Sequence, residues 1–170
     1  RLPDEYASYV PRHCKVLTGS QYIMLRPKFA ALREQSFARR MKKGRLKKAL
    51  ISIGMTDTMN ISCLAMEGIE QSGLDIDVDV ILGPTAPFIS EVKKRAEILK
   101  NEVRIHVGTG NVAELILDAD VAIGAAGSAA WERCCLGLPT LTVCIADNQK
   151  RVIEELGKLG AIEYLETDTD

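Results

Sequence analysis

The residues best suited to chemistry stand at Ala125-Ala126-Gly127-Ser128, with Glu132 following. An apolar run from Asp120 ends there in small residues, turns at Gly127 and opens a helix at Ser128. Small side chains let an anion approach the backbone, and the first N–H groups of a helix have no intrahelical acceptor, so they bind phosphate. Glu132 comes four residues after Ser128, one turn on and on the same helical face. A carboxylate at that place can accept hydrogen bonds from a ribose diol while the helix start holds a diphosphate. The same spacing also fits small residues that only let strand and helix pack, with Glu132 as a surface acid.

The surrounding pattern must position these groups. Strands are expected over 47–53, 76–82, 102–107, 120–125, 139–145 and 161–165. Helices are expected over 59–72, 88–99, 128–136 and 149–159, and Asn111 caps one more, with Glu114 as its capping-box partner. Met59, Cys63, Met66 and Ile69 make the apolar side of the first helix, and Phe88, Val92, Ala96 and Leu99 that of the second. Strands alternating with helices, several of them apolar throughout, imply an α/β fold, a Rossmann-like doubly wound parallel sheet covered on both faces.

Ligands of such a sheet bind beyond the carboxyl ends of the strands. Four loops occupy that rim: 54–57, 108–111, 125–128 and 146–149. Residues 1–46 do not join the alternation. They read as the remnant of a preceding domain, with a strand over 14–18, and a connector helix over 26–41 begun by Pro27. Residues 47–170 form the ligand-binding domain.

Composition excludes several classes. With 46% apolar and 26% charged residues the chain is neither collagen-like, a long coiled coil nor disordered. A net charge of −1 gives no overall drive toward nucleic acid or an anionic membrane. The charge is uneven, however. Seven of the 22 basic residues fall within 39–48, leaving 15 against 23 acidic residues elsewhere. That run is read as a solvated connector, as an attractor of diphosphate to the cleft mouth, or as a contact for an acidic partner. No aromatic residue interleaves it, which disfavours stacking on single-stranded nucleic acid.

No apolar run approaches the ~20 residues of a membrane span. Arg1-Leu2-Pro3-Asp4-Glu5 is no leader, so a cytoplasmic location is expected. Cys14, Cys63, Cys134, Cys135 and Cys144 read as reduced, buried small hydrophobes. No metal site is expected, because His13 and His106 are far apart in sequence and the adjacent Cys134 and Cys135 diverge on a helix. The dinucleotide fingerprint G-x-G-x-x-G is absent after the first strand, so no NAD-type cofactor is expected.

The segment Gly124-Ala125-Ala126-Gly127-Ser128-Ala129-Ala130-Trp131-Glu132-Arg133-Cys134-Cys135-Leu136-Gly137-Leu138-Pro139 is more specific, together with Ala146-Asp147-Asn148-Gln149. It resembles the nucleotide-binding half of the UDP-2,4-diacetamido-2,4,6-trideoxy-β-L-altropyranose hydrolases of pseudaminic acid biosynthesis. The interdomain segment of that family is similar to residues 19–29, and its first C-terminal strand and loop to residues 51–60. The resemblance implies the C-terminal half of a GT-B-type fold, two Rossmann-like domains facing a cleft. The glycosyltransferase that adds N-acetylglucosamine to lipid I shares that fold.

For the residues, the resemblance implies that Gly127 and Ser128 contact the diphosphate and Glu132 the ribose. The backbone of His106, Val107 and Gly108 would receive the uracil, Asn148 and Gln149 would face the sugar or phosphate, and Gly54 would border the nucleotide. Asp57 and Asn60 cap the following helix or border the cleft. Met55, Ala126 and Val112 depart from the family pattern. The family's catalytic histidine belongs to its N-terminal domain and has no counterpart here, so no catalytic residue is expected in this chain. The expected partners are UDP or a UDP-sugar and the missing N-terminal domain, with neither nucleic acid nor membrane. The open alternatives are the donor-binding domain of a GT-B glycosyltransferase and a nucleotide-binding module without chemistry.

Overall fold

The alternation of short apolar strands with amphipathic helices closes into one six-stranded sheet, every neighbouring pair of which is parallel. The computed structural model describes residues 6, 8–42 and 44–165. The leader reading of residues 1–5 and Lys43 of the basic run lie outside these described residues.

The elements run α1 (Pro27–Arg40), β1 (Lys48–Ser52), α2 (Ile61–Gln71), β2 (Asp77–Leu82), α3 (Ile89–Ile98) and β3 (Val103–Val107). They continue as α4 (Val112–Asp118), β4 (Val121–Ala125), α5 (Ser128–Cys135), β5 (Thr140–Val143), α6 (Lys150–Lys158) and β6 (Glu163–Leu165). Strand order is β3-β2-β1-β4-β5-β6, so the winding reverses between β1 and β4, where Ser52 lies opposite Gly124. In doubly wound sheets that reversal opens a crevice at the carboxyl ends of the two strands.

Period-two alternation divides β1 between two cores. Ala49, Ile51 and Ile53 pack with Val78, Val80, Leu82, Met66, Ile69 and Val92, the side covered by α2 and α3. Leu50, Ile81 and Ala122 face the other way and meet Phe29 of α1, Ala113 and Ile116 of α4, and Leu136. A third cluster joins Ala126 and Ala130 to Ile153, Leu156 and Ile162.

Helix α1 is thus part of the core, with Phe29 wholly buried. Its polar side chains reach the carboxyl ends of α4 and α5. Arg40 donates to the carbonyls of Leu136, Ala119 and Ile116 at 2.7–2.8 Å. Arg39 donates to Ala119 and Asp118 and pairs with Asp120 at 2.6 Å. Ser36 and Arg33 bond the carbonyls of Leu136 and Cys135. These last-turn carbonyls have no intrahelical donor and carry the negative end of the helix dipole. Burial, and then the charge of Arg39, pull the Arg40 pKa down to about 10.

The basic run therefore differs from each of its sequence readings at Arg39 and Arg40, which are spent on backbone carbonyls and, for Arg39, on Asp120. They also sit at the amino end of β4, the rim opposite the crevice, so they do not attract a diphosphate to it. Residues 14–18 form no strand. Met59 is exposed, because α2 begins two residues later and turns Ser62, Ala65, Met66 and Ile69 inward. The capping box at Asn111 does not form: no side chain caps α4, and Glu114 pairs with Lys28 of α1 instead. The cysteines are free, but Cys14 is exposed and the other four only half-buried. No helix among the described residues is long and apolar enough to cross a membrane.

Two measurements test the clamp. Arg40→Ala removes three hydrogen bonds, leaving the Leu136 and Ala119 carbonyls to Ser36 and Arg39 and the Ile116 carbonyl without its side-chain donor. It is expected to cost ~2 kcal/mol in urea unfolding, with Arg40→Lys recovering less than half. Burial pushes the Asp120 carboxyl up, but the N–H groups of Lys47 and Lys48 and the Arg39 guanidinium outweigh it and hold it below its ordinary 3.8. A depressed carboxylate stabilises above its unfolded pKa and loses that contribution as pH falls through the folded one. The stability lost on acidification below pH ~4 is therefore smaller in Asp120→Asn than in the parent.

Candidate functional site

At the winding reversal, the carboxyl ends of β1 and β4 run into two turns of different construction. After β4, the chain leaves Ala125 through buried Ala126 and enters α5 from Gly127, whose backbone is extended. No side chain caps this helix, and the Ala130 N–H is taken by the Gly127 carbonyl. The N–H groups of Ser128 and Ala129 have no intrahelical acceptor. Ser128 is exposed and Gly127 half-buried, so the turn is open to an anion.

Glu132 lies one turn further along α5, with its side chain 19% exposed. Its Oε1 accepts from Arg26, the residue before α1, at 3.2 Å. Arg26 in turn lies over the Phe29 ring. A carboxylate offers about four lone-pair sites, so one guanidinium contact orients Glu132 and leaves room for the two hydroxyls of a diol.

After β1 the turn is strained rather than open. Asp57 (φ 39°) and Asn60 (φ 53°) both adopt left-handed backbone, which short polar residues tolerate best. Asp57 is buried, and its two oxygens accept the N–H groups of Ile61 and Ser62 at 2.9 Å. Of the two open readings for Asp57, capping is the one built here. Asn60 makes no such cap. The Met55 carbonyl accepts the Gly83 N–H at the end of β2, and a Cβ at Gly83 would overlap that carbonyl. The Met55 side chain is exposed to solvent.

The remaining candidates stand on the same rim at other strands. Gly54 (φ 146°) follows β1. His106, Val107 and Gly108 end β3, three strand spacings from β4 or about 14 Å. The Gly108 N–H is taken by the Leu82 carbonyl. The His106 imidazole is 2.7 Å from buried Asp79, which Lys48 approaches at 3.4 Å. Asp79 is thus enclosed between the side chains of His106 and Lys48 on the two neighbouring strands. Asn148 is exposed on a single 3-10 turn (Asp147–Gln149), whereas the Gln149 carboxamide accepts from Ile145 N–H. The described residues hold no cluster of three metal-ligating side chains.

Sequence reasoning passed over Arg133. Its guanidinium is 1% exposed and lies against β4, where a Cβ at Gly124 would be 2.7 Å from Cζ and Nη1. Nη2 donates to the Ala125 carbonyl at 2.6 Å. The signal was present: Ala130, Arg133 and Leu136 follow at the i, i+3 spacing of an inward stripe, and a glycine stands in the facing strand.

No protein-family profile matches the chain. It is 25% identical to the uncharacterized protein MJ1062 of Methanocaldococcus jannaschii over 81% of its length and 28% of that protein's. It is 26% identical to the spore coat polysaccharide biosynthesis protein SpsG of Bacillus subtilis, over 90% of its own length and 44% of that protein's. Identity to the UDP-2,4-diacetamido-2,4,6-trideoxy-β-L-altropyranose hydrolase of Campylobacter jejuni is 25%, over 95% of this chain and 56% of that one. The chain thus spans between about a quarter and just over half of these relatives.

Among solved structures it is similar to the Acinetobacter baumannii MurG, with TM-score 0.58 and 15% identity over 92% of this chain and 44% of that one. A second likeness is to the spinosyn rhamnosyltransferase SpnG complexed with thymidine diphosphate, with TM-score 0.53 and 19% identity over 75% and 34% of the two chains.

Asp57→Ala is expected to lower stability by ~1 kcal/mol through loss of the cap. Urea midpoints measure this, and Asp57→Asn should restore part of it. Sheet order, helix placement and these likenesses agree on the architecture: the chain has the α/β, Rossmann-like fold found in GT-B glycosyltransferases.

Proposed function

We propose that the chain binds UDP or a UDP-sugar, as the nucleotide-binding domain of a hydrolase that releases UDP from a deoxy-diacetamido sugar. The observation that carries this reading is the uncapped start of α5 at the strand-order reversal, with Glu132 oriented by Arg26 one turn on. The distant likeness to the Campylobacter jejuni hydrolase supports the substrate class. In this reading Gly127 and Ser128 hold the diphosphate, Glu132 the ribose, and the backbone of His106 to Gly108 the base, with Asn148 nearest the sugar. Gln149 keeps its carboxamide on its own loop and serves to shape it. Residues 47–170 are the binding domain, and 1–46 the end of a preceding one with its connector.

The general base is proposed to come from outside this chain. A base must stand within about 3 Å of its water or one relay away. His106 is engaged with Asp79, and His13 is exposed in the segment before α1. A second reading is the donor-binding domain of a glycosyltransferase, favoured by the glycosyltransferases among the similar structures.

Calorimetry should show UDP binding in preference to ADP and NAD; the reverse order would overturn the proposal. Glu132→Ala should weaken UDP roughly 10-fold or more, the worth of a charge-assisted hydrogen bond, and leave uracil binding unchanged. The chain alone should bind a UDP-2-acetamido sugar without releasing UDP, as monitored by phosphorus NMR. Turnover above background would place the base within it.

A further inference from the structure

Arg133 is a buried cation without a counter-ion. Among the described residues no carboxylate pairs with it, and its Nε and Nη1 have no hydrogen-bond partner. Burial pulls its pKa down to about 10, against the small opposing pull of Cys134 and Glu132. Removing an ionised group from water is costly unless a partner repays the cost. A surface arginine, or a methionine of similar length, would avoid it.

The place of the charge suggests what repays it. The guanidinium lies at the winding reversal, in the space that Gly124 leaves by having no side chain. It is bonded to the Ala125 carbonyl, the first residue of the turn whose free N–H groups open α5. A negative group held by the Ser128 and Ala129 N–H groups would stand at the other end of the turn whose first carbonyl this buried charge holds. Charges interact more strongly where water does not screen them. The N-terminal dipole of α5 has the same sign, so the two fields add at one point. Glu132 offsets them only in part, because its carboxylate is turned to Arg26.

We propose that Arg133 is the positioning residue that makes this turn selective for a diphosphate: it fixes the Ala125 carbonyl and supplies a buried positive charge that the bound anion neutralises. The proposal rests on the nucleotide-site reading above and adds the source of its preference for charge. It assigns Arg133 no contact with the ligand. The hydrogen bond sets the turn, and the field reaches the anion through the backbone.

The test compares Arg133→Met and Arg133→Lys with the parent full chain by calorimetry, using pyrophosphate, UDP and uridine as probes, with urea midpoints alongside. The expected result is that Arg133→Met loses roughly 10- to 100-fold in affinity for UDP and pyrophosphate, keeps uridine affinity, and unfolds no earlier than the parent. Arg133→Lys keeps the charge and should bind UDP within about fivefold of the parent.

A merely structural arginine would give the opposite pattern: earlier unfolding in both variants and equal losses for uridine and UDP. Either that pattern or unchanged UDP affinity in Arg133→Met overturns the proposal. If Arg133→Met does not fold, an Arg133→Lys that binds UDP as weakly as uridine overturns it as well. If the parent binds pyrophosphate in an Arg133-dependent way but gains nothing from the uridine moiety, the charge assignment stands and the nucleotide reading falls.

Discussion

The ends of α4 and α5 must find hydrogen-bond donors, and most of what is particular to this chain follows from how they find them. Both helices are short, and both stop with carbonyls that their own turns cannot satisfy. Helix α1 supplies the donors: Ser36, Arg33, Arg39 and Arg40 take up the carbonyls of residues 116, 118, 119, 135 and 136. Because α1 is also anchored by Phe29 in the core, these bonds hold the two helices against a fixed strut. One end of α5 is thereby immobilised, and its other end opens the turn at the winding reversal. Helix α1 thus bears on the geometry of the candidate site from the opposite rim of the sheet.

That rigidity explains how a buried, half-satisfied guanidinium can persist. Left free, α5 would turn Arg133 toward water. With its last carbonyls bound by α1 and Ala130 packed beside α6, the helix keeps Arg133 on the sheet. The two turns bordering the crevice follow opposite strategies. The one after β1 satisfies its helix from within, with Asp57 closing the start of α2. The one after β4 leaves its helix start unsatisfied and places positive charge beneath it. Only the second leaves helix N–H groups without a side-chain partner.

The fold was legible because its strands are apolar and its helices amphipathic, two signals that need no tertiary knowledge. The positions of 54–57, 108–111, 125–128 and 146–149 on one rim follow from that pattern alone. What escaped was every feature set by partners distant in sequence. Arg39 and Arg40 look solvated until carbonyls about 80 residues away are known to face them. The enclosure of Asp79 by Lys48 and His106 depends on two strands that are its neighbours only in the sheet. Glu114 has the spacing of a capping box, but Lys28 is the stronger partner, a full charge in place of a backbone N–H. Arg133 shows the limit most plainly. A charged residue beside Glu132 reads as surface, and only the missing side chain at Gly124 shows where it goes.

The clasp between Met55 and Gly83 bears on how this surface can change over generations. Because the Met55 carbonyl occupies the space of a Cβ, position 83 can accept no other residue unless the turn after β1 moves with it. The side chain at 55, by contrast, meets only solvent and is free to drift. Divergence along this border of the crevice is thus channelled: side chains can be exchanged one at a time, while the path and length of the loop are inherited as a unit with the end of β2. Descendants of this sequence can vary what they present to a ligand far more readily than the frame on which they present it.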